Sequence, residues 1–367
     1  MSRVGSFPLG TACHLLRRFG EQPGTVLDPF CGKGTSLLAA RILGCDAYGI
    51  DTAPEAIVCS TAKLADVTLE DINTYLRKVR LGRPSLDDVP LDVKTFFHHS
   101  TLQQTISMNR IVERSILSGT ERDRATATVV HAALLGILHG HASYSLSISS
   151  AHAFAMAPDY VRRYAKTHNL KPPERNVKAC LAMKLKRCLA SPLPPAVSHT
   201  VLRGKAQDAC TLLPEMENRI DCILTSPPYL ASHTYAKDNW LRHWLLGYNY
   251  RDLSPDYLQT GSVARYTTEM RSVICALSHL LRPEGILICI IGHGRKGNSA
   301  AGNMVNMQQL FRTLLSAPSA ALQLEQVVTE RISSHKRYYH SLSSTNGHTT
   351  NDRREYILVA RKQSRGR

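Results

Sequence analysis

The residues best suited to chemistry lie in Asp221-Cys-Ile-Leu-Thr-Ser-Pro-Pro-Tyr229, where an apolar strand runs into a proline-stiffened turn. Pro227 and Pro228 lock φ and carry no N–H, so the turn presents mostly carbonyl acceptors. The amino group of a nucleobase is a donor that such acceptors would hold. The Ser226 hydroxyl adds another acceptor, and Tyr229 offers a flat face on which a base swung out of its stack could lie. The same tetrapeptide also reads as an ordinary turn after a buried strand. What lies upstream must decide between the two.

Upstream, Thr25-Val-Leu-Asp-Pro-Phe-Cys-Gly-Lys-Gly-Thr-Ser36 is an apolar strand, then a glycine-bearing turn, then the helix-like Leu37 to Leu43. This is the pattern of a nucleotide-binding βα unit, in which Gly32 and Gly34 let the backbone pass close to a ligand. Ala47-Tyr-Gly-Ile-Asp51 forms a second strand ending in a carboxylate that can accept from ribose hydroxyls. The loop lacks the third glycine of the dinucleotide fingerprint, and Lys33 is followed by Gly34 rather than Ser or Thr, which disfavours a phosphate cradle. A dinucleotide or adenosyl ligand fits the spacing.

Taken together, Asp-Pro-Phe-Cys-Gly-Lys-Gly-Thr at 28 to 35, Gly49-Ile-Asp51 and Thr225-Ser-Pro-Pro-Tyr229 resemble the S-adenosylmethionine-dependent amino methyltransferases of DNA. In that family the Ser-Pro-Pro-Tyr form is associated mainly with N4 of cytosine, and Asp or Asn in the first position mainly with N6 of adenine. The resemblance runs from Ser6-Phe-Pro8 to about Lys63 and again from about His199 to Lys362. It implies that Phe7 and Pro8 lie beside the methionine part of S-adenosyl-L-methionine. Asp28 and the loop Pro29, Phe30, Cys31, Gly32, Gly34 and Thr35 would contact the same moiety, with Asp51 on the ribose. Asp208, at the end of Arg203-Gly-Lys-Ala-Gln-Asp208, would meet the adenine amino group. Thr225 would flank the cofactor, and Ser226, Pro227, Pro228 and Tyr229 would form the catalytic turn. Lys33 departs from the family, which usually has a small residue there.

The chemistry so implied is extrusion of a cytosine and direct transfer of the sulfonium methyl to its amine, with positioning supplying most of the rate. Cytosine C5 methylation needs a cysteine nucleophile, in that family usually within Pro-Cys, and the chain has no such pair. The implied partner is double-stranded DNA with the target base flipped out. The implied setting is restriction-modification or epigenetic marking, with a cognate restriction endonuclease as companion, in the cytoplasm and nucleoid-associated through DNA. Two rivals stay open: an N6-adenine methyltransferase of DNA or RNA, and a catalytically silent nucleic-acid binder that keeps the fold.

Composition agrees with a polyanion partner, since 45 Lys and Arg against 29 Asp and Glu give a formal charge of +16. Between Tyr160 and Gln207 eleven bases face one acid, Glu174. Arg162, Arg163, Lys166, Lys184, Lys186 and Arg187 are the candidate phosphate contacts there, the alternative being a solvated helical face. Tyr235 and Lys237, in His233-Thr-Tyr-Ala-Lys237, are further candidates next to the turn. Trp240 and Trp244, at i and i+4, read equally as core. Ten cysteines include no Cys-x-x-Cys and sixteen histidines no metal spacing, so neither disulfides nor a metal site are expected. No basic-then-apolar leader opens the chain, and the weakly polar stretch Ala125 to Ala142 is broken by three histidines.

These residues need a scaffold. Periodicity predicts strands at Val26 to Asp28, Ala47 to Asp51, Thr200 to Arg203, Asp221 to Leu224, Gly285 to Gly292, Leu324 to Ile332 and Glu355 to Ala360, with helices between several of them. That is an α/β fold, and by resemblance a Rossmann-like class I methyltransferase with a seven-stranded, mostly parallel sheet and a hairpin edge. Residues 1–63 and 196–367 would form the catalytic domain. Residues 64–195 carry amphipathic patterns such as Asp123 to Leu138 and Val177 to Leu189, predicting a mainly helical insertion, which by resemblance is the target-recognition region. An insertion before the Asp208 strand is unusual for the family's commonest motif order. Either it sits at a different place here, or the third strand lies within it.

Overall fold

The computed structural model describes residues 7–21, 23–150, 157–230, 235–258, 260–292, 294–295, 304–331 and 354–364. Nine strands are described: β1 (Thr25–Asp28), β2 (Asp46–Asp51), β3 (His199–Arg203), β4 (Ile220–Thr225), β5 (Leu281–Ile291), the two-residue pair β6 (Gly294–Arg295) and β7 (Met304–Val305), β8 (Leu322–Arg331) and β9 (Arg354–Lys362). Seven of them form one sheet in the order β3-β2-β1-β4-β5-β9-β8, with β6 and β7 pairing apart. The first five are parallel, and β9 lies antiparallel between β5 and β8. This is the Rossmann-like methyltransferase sheet with its hairpin edge.

The strand chemistry explains the arrangement. In β4 and β5, Cys222, Ile223, Leu224 and Ile286 to Ile291 are all buried, as strands covered on both faces must be. One face packs on Leu277, Leu280, Phe311 and Leu315, the other on Leu15, Leu16, Leu37 and Ala40. Each such large apolar side chain contributes about 1.5–3 kcal/mol when taken out of water. The fifth strand begins earlier than predicted. Leu281 pairs with Ile220 before the ladder shifts register and resumes at Ile286, and Glu284 takes a positive φ of 64° in the bulge between.

The helices in chain order begin with α1 (Leu9–Phe19), α2 (Thr35–Ile42) and α3 (Pro54–Leu64) of the sheet domain. Next come α4 (Leu69–Lys78), α5 (Leu91–Lys94), α6 (His99–Ser118), α7 (Glu121–Ile137), α8 (Pro158–Thr167) and α9 (Val177–Cys188). These six occupy the predicted insertion, and the chain then enters β3, which pairs in parallel with β2. The third strand therefore follows the insertion. Their starts are set locally: Thr68 and Asp71 form a reciprocal capping box on α4, and Thr120 and Asn176 cap α7 and α9. Phe96, Leu102, Met108, Val130, Leu134 and Leu181 build a separate core there, against which Val58 and Ala62 of α3 pack.

Just before β4 comes α10 (Ala209–Leu212), and after it α11 (Tyr235–Asp238), α12 (Trp240–Leu245), α13 (Tyr250–Leu253), α14 (Val263–Leu280) and α15 (Met307–Leu315). Trp240, Leu241 and Leu245 belong to the insertion's core, and Trp240 meets the Phe96 ring edge-on at 5.3 Å. Of its two readings, core packing is the one found. One guanidinium joins the two ends of the insertion. Arg41, 2% exposed, donates to the carbonyls of Lys63 and Ala65 at the start and, through both Nε and Nη2, to that of Pro194 at the end.

Among the described residues no helix is long and apolar enough to cross a membrane. No cluster of three or more metal-ligating side chains occurs among them, and Cys31, Cys45, Cys59, Cys180, Cys222 and Cys289 are buried as thiols.

Candidate active site

The sheet order reverses between β1 and β4, so the loops leaving their C-terminal ends diverge and open a crevice, the usual ligand position in such sheets. The two strands pair through Val26 with Cys222 and Leu27 with Ile223. The next residues, Asp28 and Thr225, are then side by side, and the Thr225 hydroxyl donates to Asp28 Oδ1 at 2.8 Å. A cavity of about 260 Å³ lies over this junction.

Its lining unites both sequence motifs. Phe7, Asp28, Pro29, Phe30, Cys31, Gly32, Thr35 and Asp51 contribute from the first, and Ser226 and Pro228 from the second. Lys33, the departure from the family pattern, lines it too. The loop reaches this position because Gly32 and Gly34 adopt φ of 53° and 70°. A Cβ on Gly34 would stand 2.8 Å from Ser60 Oγ and 2.9 Å from its Cα, so the loop lies directly on α3.

Asp28 organises the floor. Only 3% exposed, it accepts from the Phe30 amide at 3.0 Å, the Thr225 hydroxyl and the Ser36 hydroxyl. Burial pushes its carboxyl up to about 6, against these hydrogen bonds, which favour the carboxylate. An acid with a raised pKa holds its proton more tightly folded than unfolded, so from about pH 4 to pH 6 its contribution to stability declines as pH rises. Asp28→Asn should remove that slope, since an amide oxygen keeps the Phe30 and Thr225 bonds and its nitrogen can donate to Ser36. Urea unfolding of both proteins across this window should show the variant gaining roughly 2–3 kcal/mol on the parent.

Asp51 is placed differently. Its Oδ2 accepts from the Gly32 amide at 2.7 Å and its Oδ1 from the Ala53 amide at 2.9 Å, which ties the end of β2 to the glycine loop at the edge of the cavity. Thr35 adds an unpartnered polar atom to the lining. Its hydroxyl, in a residue 7% exposed at the first position of α2, has no hydrogen-bond partner among the described residues. An orphaned buried hydroxyl at a helix N-terminus suits an anionic group such as a carboxylate.

Around the catalytic turn, the Pro228 carbonyl accepts from the Tyr266 hydroxyl of α14 at 2.8 Å. The turn's acceptors are thereby divided: Pro228 is engaged, and among the described residues nothing donates to the Pro227 carbonyl. Ser226 Oγ donates a long bond of 3.4 Å to the Tyr229 hydroxyl, which leaves its own lone pairs to accept. Tyr229 does not line the cavity. Its ring lies against Gly292 at the end of β5, where a Cβ would come within 2.5 Å of Cε2.

Other expectations are also displaced. Asp208 sits in a single 3₁₀ turn, Ala206–Asp208, and is exposed, while Gly204, Lys205, Ala206 and Gln207 line the cavity in its stead. Pro8 is the exposed residue preceding α1, and Gly34, Thr225 and Pro227 adjoin the lining residues in sequence without being among them. Arg162 is exposed and pairs with Asp92, at 2.9 Å, and with Asp159. Arg163, Lys166 and Lys186 are exposed, and Lys184 and Arg187 flank the Tyr144 ring at 5.9 and 5.6 Å, with Arg187 also donating to its hydroxyl. Lys237 is exposed on α11, and the side chain of Tyr235 lies outside the described residues, as do His233 and the polar loop between β8 and β9.

Sequence reasoning missed one wall. Pro255 to Leu258 and the α14 residues Arg265, Glu269, Met270 and Val273 close the cavity. Helical periodicity predicted α14, but nothing in it said which helical face would meet the ligand.

No family model matches the chain. It is 23% identical over 266 residues to the Type II methyltransferase M.BsoBI of Geobacillus stearothermophilus, a match covering 64% of this chain and 49% of that protein. The chain thus spans about half the length of the curated relative it matches. Similar solved structures include the rRNA methyltransferase AviRa from Streptomyces viridochromogenes (TM-score 0.36, 12% identity, covering 98% of this chain and 88% of that one). TrmN from Thermus thermophilus is another (TM-score 0.37, 13% identity, covering 98% and 50%).

Proposed function

We propose that this protein is an S-adenosyl-L-methionine-dependent methyltransferase acting on the N4 amine of a cytosine extruded from double-stranded DNA. The observation that carries the reading is that Ser226 and Pro228 line one cavity with the 28–35 loop and Asp51. A base amine and a methyl donor held there would be within one group transfer of each other. Similarity to a Type II methyltransferase supports the same chemistry.

The residues fit the cofactor. Asp51 suits the ribose hydroxyls, and Thr35 Oγ and Lys33 suit the carboxylate of the methionyl group. Bound there, S-adenosyl-L-methionine supplies an electrophilic methyl on sulfur. The chain's own task is the amine, a poor nucleophile because its lone pair is delocalised into the ring. Ser226 Oγ and the Pro227 carbonyl accept hydrogen bonds from its two N–H groups and draw the nitrogen toward tetrahedral geometry, while Asp28 and Tyr266 hold loop and turn in register; as the C–S bond gives way to the C–N bond the thioether leaves and the methylated nitrogen sheds one proton to solvent. The insertion and the surface around Tyr144 meet the DNA, and a cognate restriction endonuclease is the companion such an enzyme would have.

Digesting DNA treated with the protein and cofactor to nucleosides tests this: N4-methylcytosine is the expected product. N6-methyladenine would transfer the reading to the larger base, and binding of DNA without any binding of cofactor would leave a silent nucleic-acid binder. The surface role has its own test. Replacing Lys184 and Arg187 together by Ala should flatten the dependence of log affinity on log salt by about 1.8, at roughly 0.9 per phosphate contact. Filter binding across salt concentrations measures it.

A further inference from the structure

Glu55 and His243 form a hydrogen-bonded pair sealed from water: both side chains are 0% exposed, with His243 Nε2 2.8 Å from Glu55 Oε2. Two ionisable groups removed from solvent cost several kcal/mol each in desolvation, and apolar replacements of similar volume are often neutral or stabilising. Stability alone does not call for this pair. Its surroundings suggest a use, since the same Nε2 lies 3.3 Å from the Tyr257 hydroxyl, and Tyr257 lines the cavity beside Asp51 and Thr52. A proton on Nε2 serves both oxygens.

The placement along the chain is equally pointed. Glu55 lies in the first turn of α3, four residues beyond Asp51, whose carboxylate is held by the Gly32 and Ala53 amides. His243 lies on α12, reached by the chain after the catalytic turn. Ala53, Ala56, Ala236 and Leu253 enclose the Tyr257 ring, and Lys205 at the end of β3 pairs with Asp256 at 3.4 Å. Tyr257 is thus gripped at its ring by apolar contacts and at its hydroxyl by the buried pair.

We infer that Glu55 and His243 are positioning residues for Tyr257, which forms the wall over the adenosyl half of the cavity and sets affinity for the cofactor; this rests on the methyltransferase reading. Fixing one aromatic side chain in its bound orientation before the ligand arrives removes an ordering cost from binding.

The test is titration calorimetry with S-adenosyl-L-methionine in the absence of DNA. Tyr257→Phe keeps the ring and removes the hydroxyl, so its Kd should rise roughly five- to tenfold, the worth of one hydrogen bond. His243→Leu should raise Kd similarly and His243→Gln, which keeps an N–H donor, should restore most of the loss. The double variant Tyr257→Phe with His243→Leu should bind no more weakly than His243→Leu alone, because both break one link. Fully additive losses, or a Tyr257→Phe protein that binds as tightly as the parent, overturn the inference and leave the proposed function standing. A parent protein that binds no cofactor overturns both. Should His243→Leu fail to fold, Tyr257→Phe decides alone.

Discussion

Ser226→Ala should lower the rate of methyl transfer by about 10²- to 10³-fold while leaving the affinity for S-adenosyl-L-methionine within about twofold, the scale seen when one preorganised hydrogen-bonding group at a reacting centre is removed. The split follows from position. Ser226 Oγ touches nothing in the cofactor loop; its only hydrogen bond among the described residues is the long one to Tyr229. Asp28 and Asp51 keep their places without it, because their partners include Phe30, Ser36, Thr225, Gly32 and Ala53. Initial rates at saturating cofactor, beside calorimetric titration of the same variant, make the comparison. A Ser226→Ala protein with unchanged turnover would remove the amine acceptor from the mechanism.

The second large effect is on stability. Arg41→Met should cost about 3–5 kcal/mol, because the guanidinium is buried and its loss strands the carbonyls of Lys63, Ala65 and Pro194 without donors. Methionine restores most of the volume and none of the donors, so the loss reports hydrogen bonding rather than a cavity. The damage is local in origin: it falls where the insertion leaves and rejoins the sheet domain. Urea unfolding should register the drop, and limited trypsin digestion should cut at Lys63 in the variant under conditions where the parent resists. Equal protease resistance in the two proteins would mean the ends of the insertion are held by packing alone.

Much of the site was legible because its determinants are local. Gly32 and Gly34 announce a loop with left-handed residues, and Pro227 and Pro228 announce a stiff turn, wherever the chain happens to place them. The seven strands were readable from short apolar runs, and their observed bounds differ mainly where a bulge at Glu284 lets β5 begin at Leu281. Asp208 and Arg162 show the limit. Residue type and spacing made each attractive, but Asp208 lies exposed in a 3₁₀ turn beside the residues that line the cavity, and Arg162 pairs on an exposed face with Asp92, seventy residues upstream.

By itself, then, the order of amino acids determined the alternation of strands and helices, the helical character of residues 64–195 and the two loops that line the cavity, since each depends on neighbours within a few positions. Only the folded chain decided which groups those loops have left to offer. Tyr266 engages the Pro228 carbonyl, Thr225 reaches Asp28 across 197 positions, and His243 meets Glu55 across 188. Contacts between residues so far apart arise from strand order and helix packing, and no local pattern records them.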